Sequence, residues 1–228
     1  MSGAGKAHSG QTTDAPSVET VSIRRLRRGE LPIPTVELAR FLIGRIVVRE
    51  LPDVRLAGQI VETEAYPPRD PAAHHYRGPT PRNQSMYLQR GHAYVYFTYG
   101  NHFMLNVTAE APGVGGGVLI RALEPLEGVA EMERQRGTTR LLDLTRGPGR
   151  LAEAFRIDRS VDGVDLCKPG PLWLGEITSS RDRGSVKLGL ERRMGVSRRI
   201  GITRAAHRLL RFYERGSRFV SGTSRLRA

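Results

Sequence analysis

The sequence predicts an α+β protein that folds as a single domain. Its 228 residues suffice for one large domain or two small ones, and neither an internal repeat nor a linker-like stretch follows Val21. The 14 prolines and 26 glycines divide the chain into many short segments. The β-rich runs follow one another through hairpin turns and not in a regular strand–helix–strand alternation, which favours an antiparallel sheet accompanied by helices.

A tail and a helix are the first predicted elements. Residues 1–20 are rich in Ser, Thr, Gly and Ala and poor in large apolar side chains. We therefore expect a flexible tail outside a folded domain of residues 21–228. Pro34-Thr35 precedes an amphipathic run, and Gly44 follows it. These signals predict a helix over residues 36–43.

Strands and a long loop come next. The β-branched run 46–48 predicts a strand over residues 45–49, and residues 58–66 form a second strand that carries two glutamates. Residues 67–90 hold five prolines and no sustained periodicity, so we expect a long loop with a function. The remaining predicted elements are strands over 93–99, 102–108, 118–123, 172–174 and 209–213, and helices over 126–136 and 150–157.

Gly100-Asn101 predicts a β-hairpin between the strands over 93–99 and 102–108. A two-residue connection of this type suits a II′ turn, because glycine supplies the positive φ that the turn needs. Tyr99 then lies at or beside the hairpin tip. An exposed aromatic side chain on a basic protein is a candidate for insertion between bases, although packing is the usual role of aromatic residues.

The charge balance points to an anionic partner. There are 36 basic and 23 acidic side chains, a net charge of +13, and residues 181–228 alone carry fourteen basic and three acidic ones. Almost all of the basic side chains are arginines, whose guanidinium fork suits phosphate oxygens. Nucleic acid is the first partner to test, although a solvated basic face would give the same composition.

Compartment and cofactor follow from what the sequence lacks. Cys167 is the single cysteine, and no apolar run approaches the roughly 20 residues of a membrane span. We therefore expect a cytoplasmic protein without a membrane anchor, nucleoid-associated in a bacterium and nuclear in a eukaryote. His74-His75 is not accompanied by CxxC or HExxH, and Gly113–Gly117 is not followed by a phosphate-loop lysine, so we expect neither a metal nor a cofactor.

Glu62 and Glu64 are the candidate catalytic carboxylates. Residues two apart on a strand face the same side, so Ile60, Glu62 and Glu64 are predicted to share one face. A carboxylate near the end of a strand, where the long loop begins, could act as a general base. The alternative is a pair of exposed charges on a solvated face.

Several motifs, in a fixed order, resemble those of the alkyladenine (3-methyladenine) DNA glycosylase family, in its form without a helix-hairpin-helix. They are I-V-E-T-E-A-Y (60–66), A-A-H (72–74), T-P-R-N (80–83), Y-V-Y-F-T-Y-G (94–100), L-N-V (105–107), L-I-R-A-L-E-P-L-E-G (119–128), G-P (147–148), R-I-G (199–201) and R-F-Y-x-R-G-S (211–217). The resemblance implies one compact domain around a curved antiparallel sheet, with a protruding hairpin and surrounding helices. It also implies a monomer that acts on double-stranded DNA containing damaged purines.

The resemblance also implies a role for each matching residue. Glu64 corresponds to the base that activates water, and Arg121 to the arginine that helps to hold this water. Tyr99 corresponds to the wedge that fills the gap in the duplex. The substrate-binding residues implied are Tyr66, His74 and Tyr96 around the extruded base, Asn106 against the amine of normal guanine, Leu119 on the pocket wall, and Ile200 through its backbone carbonyl.

The scarcity of lysine predicts a glycosylase without lyase activity. A lyase forms a Schiff base through an amine, and Lys6, Lys168 and Lys187 all lie outside the aromatic and carboxylate motifs. Two other classes stay open. One is a non-catalytic protein of the same fold that binds damaged DNA, against which Glu64 argues, and the other is an RNA-binding module on a similar basic core.

Overall fold

The computed structural model describes residues 22–98, 100–178 and 193–222. In these ranges the strands are β1 (Ile23–Arg25), β2 (Ile46–Glu50), β3 (Arg55–Tyr66), β4 (Ala93–Thr98), β5 (His102–Thr108), β6 (Gly117–Glu127), β7 (Leu172–Ile177), β8 (Met194–Ser197) and β9 (Arg211–Glu214). The helices are α1 (Thr35–Leu42), α2 (Val129–Arg136), α3 (Leu141–Leu144) and α4 (Pro148–Ala154).

All the described strands join one open antiparallel sheet. Its main order is β1-β7-β2-β3-β6-β5-β4, and β9 pairs with both β3 and β8. β3 is the organising strand, because it pairs with β2, β6 and β9. The α+β prediction of a single compact domain is therefore confirmed. The predicted hairpin is confirmed as well, with β4 and β5 in register from Ala93 opposite Val107 to Thr98 opposite His102.

Helix α1 covers the middle of β3. Its apolar side buries Leu38, Ala39 and Leu42 completely, and the Thr63 hydroxyl donates to the Ala39 carbonyl at 2.9 Å. A residue remote in the sequence caps the first turn of α1, since Glu110 Oε1 accepts a hydrogen bond from the Thr35 amide at 2.9 Å. Burial of this face anchors the first half of the chain on the central strand.

Two compensating irregularities interrupt the β3–β6 pairing beside the glutamates. Ile60 faces Leu123, but Glu62 faces Ala122 and Thr63 faces Ile120. The predicted common face of Ile60, Glu62 and Glu64 is therefore wrong for Ile60, which lies in the main apolar core with α1. A β-bulge adds one residue and shifts the alternation of side chains. Glu62 and Glu64 keep a common face, since both approach Arg121.

Other predicted boundaries differ because long-range pairing overrides local preference. The helix predicted from residue 126 begins at Val129, because Glu127 still pairs with Ala57 on β3 and Gly128 makes the turn with φ +76°. The predicted 150–157 helix begins earlier, at Pro148. β1, β8 and α3 had no prediction. None of the helices in the described ranges has the length and apolar character of a membrane span.

Candidate active site

A cavity of about 360 Å³ opens where β3, β4, β5 and β6 meet the loop that follows β3. Its volume is within the usual range for small-ligand sites. Seven of the residues singled out from the sequence line it: Tyr66, His74, Tyr96, Asn106, Leu119, Arg121 and Ile200. Met86, Met104, Thr98 and Pro148 also line the wall. The sequence analysis assigned no individual role to these four, although Thr98 and Pro148 lie within matching motifs.

Glu64 lies directly behind this wall. Its side chain is completely buried, which excludes the alternative of an exposed charge. Oε1 accepts from the Ile200 amide at 2.8 Å and lies 3.2 Å from Arg121 Nη1. Oε2 accepts from the Tyr66 hydroxyl at 2.9 Å. All three neighbours line the cavity, so the carboxylate is held between the sheet and the space where a ligand would lie.

Arg121 is shared between the two glutamates of β3. Its Nε donates to Glu62 Oε1 at 2.9 Å, while Nη1 faces Glu64. Burial by itself lowers the pKa of Arg121, but the charges of Glu64 and then Glu62 outweigh it and raise the pKa above its ordinary value. The guanidinium therefore stays charged beside the cavity.

Tyr66 forms one aromatic wall of the cavity and is supported from behind. The Arg199 guanidinium lies over the Tyr66 ring, 4.6 Å from its centroid. Arg199 also contacts Asp70 Oδ2 at 2.7 Å and donates to the Ala65 carbonyl at 3.0 Å. Burial first, and the charge of Glu64 second, raise the pKa of Tyr66. Its hydroxyl therefore stays protonated and donates to Glu64.

Asp70 and Arg199 form a buried ion pair, which the sequence analysis missed. Both side chains are completely buried. Asp70 lies in the loop after β3, and Arg199 is more than a hundred residues later, beside Ile200. The sequence signal for Arg199 is its place in the R-I-G motif, in which the resemblance assigns a role to Ile200 alone.

His74 lines the cavity and contacts two tyrosines of β4. Its Nδ1 is 2.9 Å from the Tyr94 hydroxyl, and its ring meets the Tyr96 ring edge-on at 4.3 Å. Tyr94 and Tyr96 stack at 5.4 Å, in keeping with their alternation on one strand face. Asn83 donates to the His74 carbonyl at 3.0 Å. Burial, and then the charge of Arg82, lower the pKa of His74.

Asn106 and Leu119 are direct neighbours across the sheet. Leu119 pairs with Glu64 on one side and with Asn106 on the other. The Asn106 amide donates to the Tyr94 carbonyl at 3.1 Å, which fixes its orientation. Three strands therefore align a carboxylate, an apolar side chain and an amide in one row.

Two other sequence-based predictions concern this region. Tyr99, the predicted wedge, lies outside the described residues. His75 contacts the Pro67 carbonyl and the Met86 sulfur, each at 3.0 Å. Across the described ranges, no group of three or more His, Cys, Asp or Glu side chains is arranged to hold a metal ion.

Comparison with known proteins places the chain in a family. The family model of methylpurine-DNA glycosylase matches residues 30–218. A protein of Mesorhizobium japonicum is 58% identical over 197 residues, covering 86% of this chain and 90% of the relative. One of Paraburkholderia phytofirmans is 51% identical over 201 residues, covering 88% and 90%. Both bear the name "Putative 3-methyladenine DNA glycosylase". The chain thus belongs to the methylpurine-DNA glycosylase family.

Proposed function

We propose that this protein is a monofunctional DNA glycosylase of base excision repair, which flips alkylated purines of the 3-methyladenine type out of duplex DNA and releases them by hydrolysis. Membership of the family gives the chain a DNA glycosylase role. One observation carries the finer proposal: the buried Glu64 carboxylate is bonded to three side-chain or backbone groups that line an aromatic cavity.

Glu64 is the general base of this mechanism. Breaking the N-glycosidic bond builds positive charge on C1′ of the sugar, and a carboxylate beside that carbon stabilises the charge and accepts a proton from water. An ionised carboxylate offers about four acceptor positions. Among the described residues, Oε1 has two partners and Oε2 has one. We therefore place the attacking water at the second acceptor position of Oε2, next to the Oε1 atom that Arg121 and the Ile200 amide contact.

The aromatic walls bind the extruded base. A purine methylated at N3 is already cationic, so it leaves without an added proton. Tyr66 and Tyr96 can attract such a cation through their ring faces, by about 2 kcal/mol when water is excluded. The His74 backbone donates a hydrogen bond to the base, Leu119 packs against it, and Asn106 disfavours the exocyclic amine of normal guanine.

Base flipping requires a group that occupies the vacated space. Unstacking one nucleotide costs a few kcal/mol, and Tyr99 at the hairpin tip is the side chain that we propose as the wedge. A weakly paired, damaged base flips more readily than a normal one. Selectivity is therefore shared between flipping and the fit of the base in the cavity.

Within the described ranges no lysine lines the cavity, which supports hydrolysis without strand cleavage. Lys168 is the single lysine in the described ranges; it lies outside the cavity wall, and its ammonium is 3.6 Å from Asp165. We therefore expect an abasic site as the product. A protein–DNA adduct trapped by borohydride would refute the proposed lack of lyase activity.

The decisive experiment measures free-base release from methylated duplex DNA under single-turnover conditions. Glu64→Gln is expected to slow release by about 10²- to 10⁴-fold. The matched control is Glu127→Gln, which changes a glutamate at the far end of β6, paired with Arg55 at 2.7 Å. Equal release by wild type and Glu64→Gln excludes Glu64 as the base. If both bind damaged DNA and neither releases base, the protein is a non-catalytic binder.

The wedge is tested by substitution at the hairpin tip. Tyr99→Ala is expected to weaken binding to a duplex with a flipped nucleotide more than binding to an undamaged duplex. Phe97→Ala is the control, because Phe97 lies two residues away and its ring packs on Phe103 at 5.0 Å. Equal losses on damaged and undamaged duplexes would argue against the wedge.

A further inference from the structure

A second carboxylate lies beneath the proposed base and is not used by the mechanism above. Glu62 is completely buried and accepts four hydrogen bonds from groups in the described ranges. Oε1 accepts from Arg121 Nε at 2.9 Å, Arg211 Nε at 2.6 Å and the Ser221 hydroxyl at 2.9 Å. Oε2 accepts from the Ser221 amide at 2.7 Å. Glu62 therefore joins β3, β6, β9 and the segment that follows β9.

Among the described hydrogen-bond partners of Glu62, Arg121 is the one that lines the cavity. Glu62 itself does not line the cavity. The guanidinium is a planar, rigid fork, so an anchor on Nε determines where Nη1 points. Here Nε is held by Glu62, and Nη1 faces Glu64 at 3.2 Å. Arg121 Nη2 also approaches the Ser221 hydroxyl at 3.4 Å.

The charges of this group are balanced. Two arginines, Arg121 and Arg211, face two carboxylates, Glu62 and Glu64, and the four side chains are almost completely buried. Without Glu62, Glu64 would be the carboxylate left to Arg121 among its described partners. A second hydrogen bond from Arg121 would then occupy the acceptor position on Oε2 that the water needs.

We propose that Glu62 is a positioning residue for base release: it anchors Arg121 so that one guanidinium nitrogen reaches Glu64 and one carboxylate position stays open for water. This inference rests on the proposed glycosylase function. The two glutamates then have different roles: Glu62 acts through Arg121, whereas Glu64 contacts the reactants.

The test must separate a role in positioning from a role in stability. Glu62→Gln leaves Arg211 buried without its carboxylate, so it is expected to lower both the melting temperature and the release rate. Glu62→Gln/Arg211→Gln removes both charges together, which proteins tolerate much better. We expect this double variant to regain most of the lost melting temperature, yet to release base about 10- to 100-fold more slowly than wild type, because Arg121 is misplaced.

Two further measurements assign the effect to Arg121. In an Arg121→Gln background, adding Glu62→Gln/Arg211→Gln is expected to slow single-turnover release by no more than about threefold, because the coupled group has already been removed. The matched control is Arg55→Gln/Glu127→Gln, which neutralises an ion pair between the other ends of β3 and β6. It should release base within about threefold of wild type.

Two outcomes would overturn the proposal. In the first, Glu62→Gln/Arg211→Gln regains the wild-type release rate together with the melting temperature. In the second, these two substitutions slow release in the Arg121→Gln background by as large a factor as they do in wild type. If the double variant does not fold, Glu62→Asp tests the proposal instead. This substitution keeps the negative charge, but the shorter side chain moves the carboxylate away from Arg121. Slower release with unchanged binding to abasic DNA supports the proposal, and a wild-type rate refutes it. A wild-type protein without glycosylase activity contradicts the proposed function instead, which keeps the two failures distinct.

Discussion

Replacing Asp70 with asparagine should reveal how strongly one buried ion pair supports the candidate site. Asp70 Oδ2 lies 2.7 Å from Arg199 Nη1, and Oδ1 accepts from Arg199 Nη2 at 3.1 Å and from the Ala72 amide at 2.9 Å. Asp70→Asn keeps the shape of the side chain but removes its charge. Arg199, which is completely buried under the Tyr66 ring, then has no carboxylate partner at this position.

The magnitude follows from this burial. Removing one partner of a buried pair leaves an uncompensated charge, which lowers the free energy of unfolding by about 3–5 kcal/mol. In a domain of this size, each kcal/mol lowers the melting temperature by about 2–4 °C. We therefore expect Asp70→Asn to melt about 6–20 °C below wild type.

Thermal and urea unfolding of wild type and variants would measure this change. The control is Glu30→Gln, because the Arg24–Glu30 pair has comparable distances but side chains that are 35% and 36% exposed. Exposed pairs contribute less than about 1 kcal/mol. If Asp70→Asn destabilises no more than this control, the buried pair is not a structural support. Asp70→Asn/Arg199→Met, which removes both charges, should regain most of the loss.

Three shorter predictions concern the cavity and the far end of the sheet. Tyr66→Phe removes the hydroxyl that orients Glu64 but keeps the ring, so single-turnover release should slow about 10-fold while binding to abasic DNA is retained; a wild-type rate would contradict this. Burial lowers the pKa of His74 and of His75 from 6.5. The unfolded state then binds more protons, so the free energy of unfolding should fall as the pH drops below about 6.5. Urea titrations at several pH values would measure this, and a free energy of unfolding that does not change with pH would refute it. Burial and a neighbouring carboxylate raise the pKa of Glu214 above 4.5, so Glu214→Gln should raise the melting temperature at neutral pH, with a gain that disappears below about pH 4; a gain independent of pH would refute it.

Much of the candidate site was predictable because its signals are local. The turn at Gly100-Asn101 and the flanking β-rich runs predicted the hairpin, which pairs as expected. Strand alternation correctly placed Glu62 with Glu64, and Tyr94 with Tyr96. The ordered motifs singled out seven residues that line one cavity, although they come from four strands and two loops. Their catalytic and binding roles stay predictions.

Other features depend on partners far apart in the chain. Local preference predicted a helix from residue 126, but pairing of Glu127 with Ala57 on β3 extends β6 as a strand. The bulge that moves Ile60 into the core arises from the match between two strands and has no signature in either strand alone.

The sequence by itself determined the fold class, the hairpin and the order of the motifs, because turn chemistry, residue periodicity and motif spacing act over a few residues. Only the tertiary structure decided that Glu62 would bind Arg121 and Arg211, and that Asp70 would bind Arg199 beneath Tyr66. A charge in a sequence carries no record of its burial. Its partner is selected only when the packed chain excludes water and an unpaired charge becomes too unfavourable to keep.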